Sequence, residues 1–211
     1  MSLPNFFTFF RIFISPIFLF VYLEYEALGI HFSMLPYVLL LLLGVSELSD
    51  AFDGYFARKY NQVTDLGKIL DPMADSIYRT SVFLTFTLPP VQLPMMVIFI
   101  FLYRDSVIST LRTICALKGF ALAARPSGKL KAAIQGFSAF IVILLLIPYS
   151  LGYLSQETLK NASTLIISIA AAYTLISGID YLFANKHYIA KLLITKNAKR
   201  KLKTTTESLN H

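Results

Sequence analysis

Apolar residues in this chain fall into six long blocks, broken by short polar or proline-bearing stretches. Each block is close to the roughly 20 residues that a helix needs to cross a hydrocarbon layer. The first predicts a helix from about Pro4 to Glu26, with Arg11 near its start and Pro16 as a kink point. Pro36 opens the second, which takes in the leucine run Leu39–Leu43 and ends around Arg58–Tyr60. The third starts at Leu66 or Gly67 and stops at the Leu88-Pro89-Pro90 breaker. The fourth covers Leu93 to Leu117 with Arg104, Asp105 and Arg112 inside it, the fifth Gly128 to Tyr149, and the sixth Thr158 to Phe183. The pattern predicts an all-α, polytopic membrane protein with six transmembrane helices. One membrane domain occupies residues 1–185, followed by a basic and polar tail over 186–211.

Composition sharpens this. A hydrophobic content of 56% and a mean hydropathy of +0.64 are too high for an ordinary soluble domain. The formal charge of +7 invites a nucleic-acid reading, but the distribution of charge excludes it. Apart from Lys160, every Lys and Arg lies at a terminus, in the 58–68 or 118–131 connections, or inside a helix leading to them. Glu24, Glu26 and Glu157 hold the other side. The positive-inside bias therefore predicts that both termini are cytoplasmic. The tail from Lys186 carries seven Lys/Arg, which fix topology and attract anionic headgroups by about 1 kcal/mol each near the surface. The N-terminus lacks a signal-peptide cleavage pattern, so the first segment is expected to be retained. The single cysteine, Cys115, rules out an internal disulfide framework and reads as a small buried residue. His31, His187 and His211 are too scattered to form a histidine-based site.

One stretch departs from the apolar pattern. Between Asp50 and Asp75 lie four well-spaced aspartates, Asp50, Asp53, Asp71 and Asp75, out of twelve acidic residues in the whole chain. On helices, Asp50, Asp53 and Ala57 share one face, and Asp71 and Asp75 stack one turn apart on another. Carboxylates at a membrane boundary are costly unless paired, hydrated or bound to a cation. Two facing pairs make a hard all-oxygen site suited to two Mg²⁺ or Mn²⁺ ions rather than zinc. Gly54, Ala57 and Gly67 leave room for backbone or ligand to approach closely, and Arg58 adds a cation where a phosphate would sit. Together these predict a diphosphate held by two divalent ions at the cytoplasmic side. Glu47, one turn before Asp50, could orient a ligand or line a hydrated cavity.

The full pattern, Asp50-x2-Asp53-Gly54-x2-Ala57-Arg58-x8-Gly67-x3-Asp71-x3-Asp75, resembles the CDP-alcohol phosphatidyltransferase signature at all eight positions and every spacing. Pro4-Asn5-x2-Thr8-x2-Arg11 resembles the family's opening before its first helix. The segments Tyr103–Arg112 and Ser127–Gln135 resemble those of its bacterial phosphatidylglycerophosphate synthase branch, with Asp105 where glutamate is usual. The resemblance implies CDP-diacylglycerol as donor, sn-glycerol 3-phosphate as acceptor and CMP as leaving group, in a bacterial inner membrane. It also implies that Asp50, Asp53, Asp71 and Asp75 bind two metals and that Asp75 is the general base. Asp53, Gly54, Ala57, Arg58 and Gly67 would hold the CDP moiety, and the active unit would be a homodimer.

An anionic acceptor needs cations of its own. Arg104, Arg112, Lys129 and Lys131 are the candidates, with Arg79, one turn past Asp75, as a fifth. The positive-inside rule alone would also explain Lys129 and Lys131, and Arg104 could pair with a carboxylate such as Asp105. Alternative acceptors are phosphatidylglycerol, as in a CDP-alcohol-type cardiolipin synthase, or an inositol phosphate. Intramembrane prenyltransferases use aspartates too, but lack the Gly–Ala–Arg spacing. A small cation transporter would place its carboxylates near the midplane on broken helices.

Overall fold

A computed structural model describes the backbone of residues 3–59, 65–117, 122 and 125–190. It describes the side chains of residues 9–49, 52, 71, 73–117, 122 and 125–190. The described chain is all-α: α1 (Leu3–Glu24), α2 (Leu35–Lys59), α3 (Asp65–Thr85), α4 (Met95–Leu117), α5 (Pro126–Ser150) and α6 (Gln156–Ala184). Residues 186–190 are also helical. The remainder of the basic tail, 191–211, lies outside the described residues.

Local chemistry sets the helix ends. Ser155 caps α6, its hydroxyl accepting from the Thr158 amide at 3.2 Å. Arg125 is extended ahead of Pro126, whose missing N–H costs nothing in a first turn. Past the end of α5, Gly152 takes a φ of +80°, a left-handed conformation that a side chain would disfavour. Pro16 and Pro148 lie within their helices.

Helix α1 packs on α2 and α3, α5 on α6 and α2, and α4 on α6 and α3. Side-chain links join the first half of α1 to the middle of α3, the second half of α3 to the first half of α5, and the start of α5 to the middle of α4 and the end of α6. The bundle is therefore divided along its axis. One half holds the apolar core, with Phe18, Leu39, Phe86, Ile143, Leu159 and Ile167 fully buried and Phe83 stacked on Phe101 at 4.7 Å. The other half holds the buried charges of the described residues, Arg11, Asp105 and Lys131. The outer surface is apolar: Phe13, Ile17 and Phe20 on α1, Phe137 on α5, and Ile169 and Phe183 on α6 are exposed. Charges inside and large apolar side chains outside suit a bilayer rather than water. Among the described residues, α5 and α6 are each long and apolar enough to cross a membrane, and Leu35–Ser49 is a shorter apolar stretch.

Candidate active site

The polar half is built from side chains that the sequence places far apart. On α3, Asp71 and Asp75 lie one turn apart, both partly exposed, so their carboxylates share a face. Asp75 accepts a hydrogen bond from Nη1 of Arg11, which reaches across from α1 and is only 1% exposed. Asp50, Asp53, Gly54, Ala57 and Arg58 all fall on the unbroken helix α2, and Gly67 falls in the first turn of α3. Their side chains lie outside the described ones, so the complete aspartate constellation does too. Among the described residues no group of three or more acidic, histidine or cysteine side chains assembles. Those that are described fit a hard cation, since two carboxylates one turn apart offer only oxygen.

One turn beyond Asp75, Arg79 donates to the backbone carbonyl of Ala132 on α5 and lies 3.6 Å from Glu47 Oε2 on α2. This brace surrounds a cavity of about 10 Å³, lined also by Gln135 and Gly136, which has room for a single water and not for a substrate. A methyl group on Gly136 would stand 3.3 Å from Oε1 of Glu47 and would crowd that carboxylate by a few tenths of an ångström. Glu47 is thus the partner of Arg79.

The brace leads directly to the acceptor candidates, because Ala132 adjoins Lys131. Lys131 Nζ donates to both carboxylate oxygens of Asp105, at 2.7 and 2.8 Å, and both residues are 7% exposed. Arg104 donates to the same Asp105 at 2.9 Å and to Ser177 Oγ on α6 at 2.9 Å. Two cations therefore share one anion, leaving a net positive charge in a buried seam between α4, α5 and α6. Gly178 makes room for the arginine, since a Cβ there would stand 3.0 Å from Arg104 Cγ. Farther along α4, Arg112 donates to the Tyr181 hydroxyl at 3.2 Å and lies 5.4 Å from that ring's centre. Lys129, two residues before Lys131, is exposed. Burial thus separates two lysines that look alike in sequence.

Two features escape the sequence reading. Arg11 has a cross-helix partner that spacing cannot reveal. Asp180 on α6 holds the approach to α5, accepting from Arg125 Nε at 3.0 Å, Arg125 Nη2 at 3.1 Å and Ser127 Oγ at 2.5 Å. A lone acid in an apolar block is the signal that could have found it.

Comparison with known proteins is consistent along nearly the whole chain. Residues 1–176 match the model of the CDP-alcohol phosphatidyltransferase family. The CDP-diacylglycerol–glycerol-3-phosphate 3-phosphatidyltransferase of Rickettsia typhi is 32% identical over 187 residues, covering 89% of this chain and 98% of that protein. The Bacillus subtilis protein of the same name is 28% identical, covering 87% and 95%. A probable phosphatidylglycerophosphate synthase of Mycobacterium tuberculosis is 29% identical, covering 85% and 79%.

Proposed function

From its membership of the CDP-alcohol phosphatidyltransferase family, we propose that this chain transfers the phosphatidyl group of CDP-diacylglycerol to sn-glycerol 3-phosphate, releasing CMP. The observation that carries the choice of acceptor is the buried, net-positive Arg104–Asp105–Lys131 seam, linked through Ala132 and Arg79 to the helix that bears Asp71 and Asp75. A buried uncompensated cation is costly unless an anion arrives to match it. A phosphate monoester supplies that match.

In this reading Asp50, Asp53, Asp71 and Asp75 hold two Mg²⁺ or Mn²⁺ ions. Such ions, when bound, neutralise the diphosphate and the charge that develops in an in-line displacement. Asp53, Gly54, Ala57, Arg58 and Gly67 seat the CDP moiety, the small residues admitting it and the guanidinium facing phosphate. Arg104, Arg112, Lys131 and the exposed Lys129 bind the acceptor phosphate, with Arg79 at the margin because Glu47 and Ala132 already engage it. Asp75 takes the proton from the acceptor hydroxyl. That oxygen bonds to the phosphorus carrying the diacylglycerol as the bond to CMP breaks. All six helices cross the membrane with both termini and the site in the cytoplasm, and two copies form the active unit.

The test is CMP release by purified protein from CDP-diacylglycerol with a panel of acceptors. Glycerol 3-phosphate should support turnover, and Arg104→Ala or Arg112→Ala should raise its KM at least tenfold. Turnover with phosphatidylglycerol or inositol phosphate in its place would move the chain to another branch of the family. Metal-dependent cation uptake into sealed vesicles with no CMP release would make it a transporter.

A further inference from the structure

Among the described residues, Arg11 is the most deeply buried cation, and no step above uses it. Topology does not account for it. A residue that merely obeys the positive-inside rule keeps its charge in the headgroup region, whereas this guanidinium points inward from α1 to α3. Nor can arginine escape burial by losing its proton. Its charge must be matched, and Asp75, which the proposed mechanism uses as ligand and base, is one of its partners. Ser15, one turn on, donates its hydroxyl to the Arg11 carbonyl at 3.4 Å, and the close packing of α1 on α3 holds the guanidinium in reach.

We propose that Arg11 is a positioning residue for the divalent-cation site: by gripping Oδ1 of Asp75 it fixes the plane and rotamer in which that carboxylate meets the metal. Partners of this kind orient metal ligands, and losing one commonly weakens metal affinity about 10- to 100-fold. The opposite role would be a counter-ion that occupies the carboxylate only until metal displaces it, and the two predict opposite signs. Removing a positioning residue weakens metal binding; removing a competitor tightens it.

The inference rests on the aspartates being the metal site, so the experiment checks both. Mn²⁺ binding to the full-length protein in detergent, without substrate, is measured by electron paramagnetic resonance of free Mn²⁺. Arg11→Gln should weaken binding at least tenfold. Arg11→Lys should give an intermediate loss, since an ammonium keeps the charge but not the planar fork. Adding Arg11→Gln to Asp75→Asn should produce little further change, because the carboxylate it acts through is gone. Unchanged or tighter binding in Arg11→Gln overturns the proposal. If Arg11→Gln does not give a monodisperse protein, Arg11→Lys decides, and wild-type affinity there overturns it. Asp71→Ala separates the two readings. If it binds Mn²⁺ like the wild type, the metal site itself is misplaced and the Arg11 role falls with it. If Asp71→Ala loses binding while Arg11→Gln does not, only the Arg11 role falls.

Discussion

Asp105→Asn is the most informative single perturbation of the buried seam. In the native protein Lys131 and Arg104 together make three hydrogen bonds to this carboxylate, at 2.7, 2.8 and 2.9 Å, and Asp105 and Lys131 are each 7% exposed. Substitution by the amide removes the only negative charge in the cluster and raises its net charge from one to two. Breaking a buried ion pair by deleting one partner costs about 3–5 kcal/mol, because the charge left behind is uncompensated. Lys131→Met should cost less, since Asp105 keeps Arg104. In the double variant the net charge returns to one, carried by Arg104, which can still donate to the introduced amide. It should therefore lie within about 2 kcal/mol of wild type, with a coupling energy toward the upper end of the roughly 0.5–3 kcal/mol seen for directly contacting residues. The assay is reversible unfolding in mixed micelles for all four proteins, followed by circular dichroism. Kinetics on the same set separates stability from binding. The double variant should recover its fold but keep a KM for glycerol 3-phosphate at least tenfold above wild type, having lost a phosphate-binding cation. An Asp105→Asn cost below about 1 kcal/mol would refute the ion-pair account. So would strict additivity of the two single effects.

Three further predictions address other parts of the site. Asp50→Ala and Asp71→Ala should each abolish CMP release, as should EDTA, with Mg²⁺ or Mn²⁺ restoring the wild type only. Asp75→Asn should retain CDP-diacylglycerol binding while stopping transfer, and an undiminished kcat would remove it as the base. Gly178→Ala should push the Arg104 stem, because the new methyl would stand 3.0 Å from its Cγ. A stability change within about 1 kcal/mol is expected, since helix propensity gained by alanine offsets the crowding. The acceptor KM should nevertheless rise severalfold. Gly44→Ala, with nothing within 4 Å of the added methyl, is the control and should leave KM unaltered.

The division between sequence and tertiary structure follows the range of the forces involved. Most helix identity and extent was legible in the chain alone: α1 to α6 begin and end within three residues of the six helices expected, while the helical residues 186–190 fall in what the sequence presented as a polar tail. Long apolar blocks, proline breaks and the serine cap at Ser155 act over a turn or two, so sequence order contains them. The same holds for the register of Asp71 and Asp75, which depends only on helical geometry. Lys131 shows the limit. In sequence it stands beside Lys129 in a basic connection, and both suit a topological role. In the structure one is exposed and the other buried against Asp105. Arg104 shows a second limit. It pairs with Asp105, the next residue on its own helix, as the sequence allowed, but the order of residues does not reveal that it also reaches Ser177 on α6, or that Asp105 is shared with Lys131 from α5. Arg11 and Asp75, 64 residues apart, and Arg125 and Asp180, 55 apart, meet only because particular helix faces pack together. Sequence by itself determined an all-α chain with apolar blocks and a phosphate-handling signature. Which charges meet, and so which cations bind and which brace, was decided by the rotation of each helix about its axis, a property of packing that no local pattern specifies.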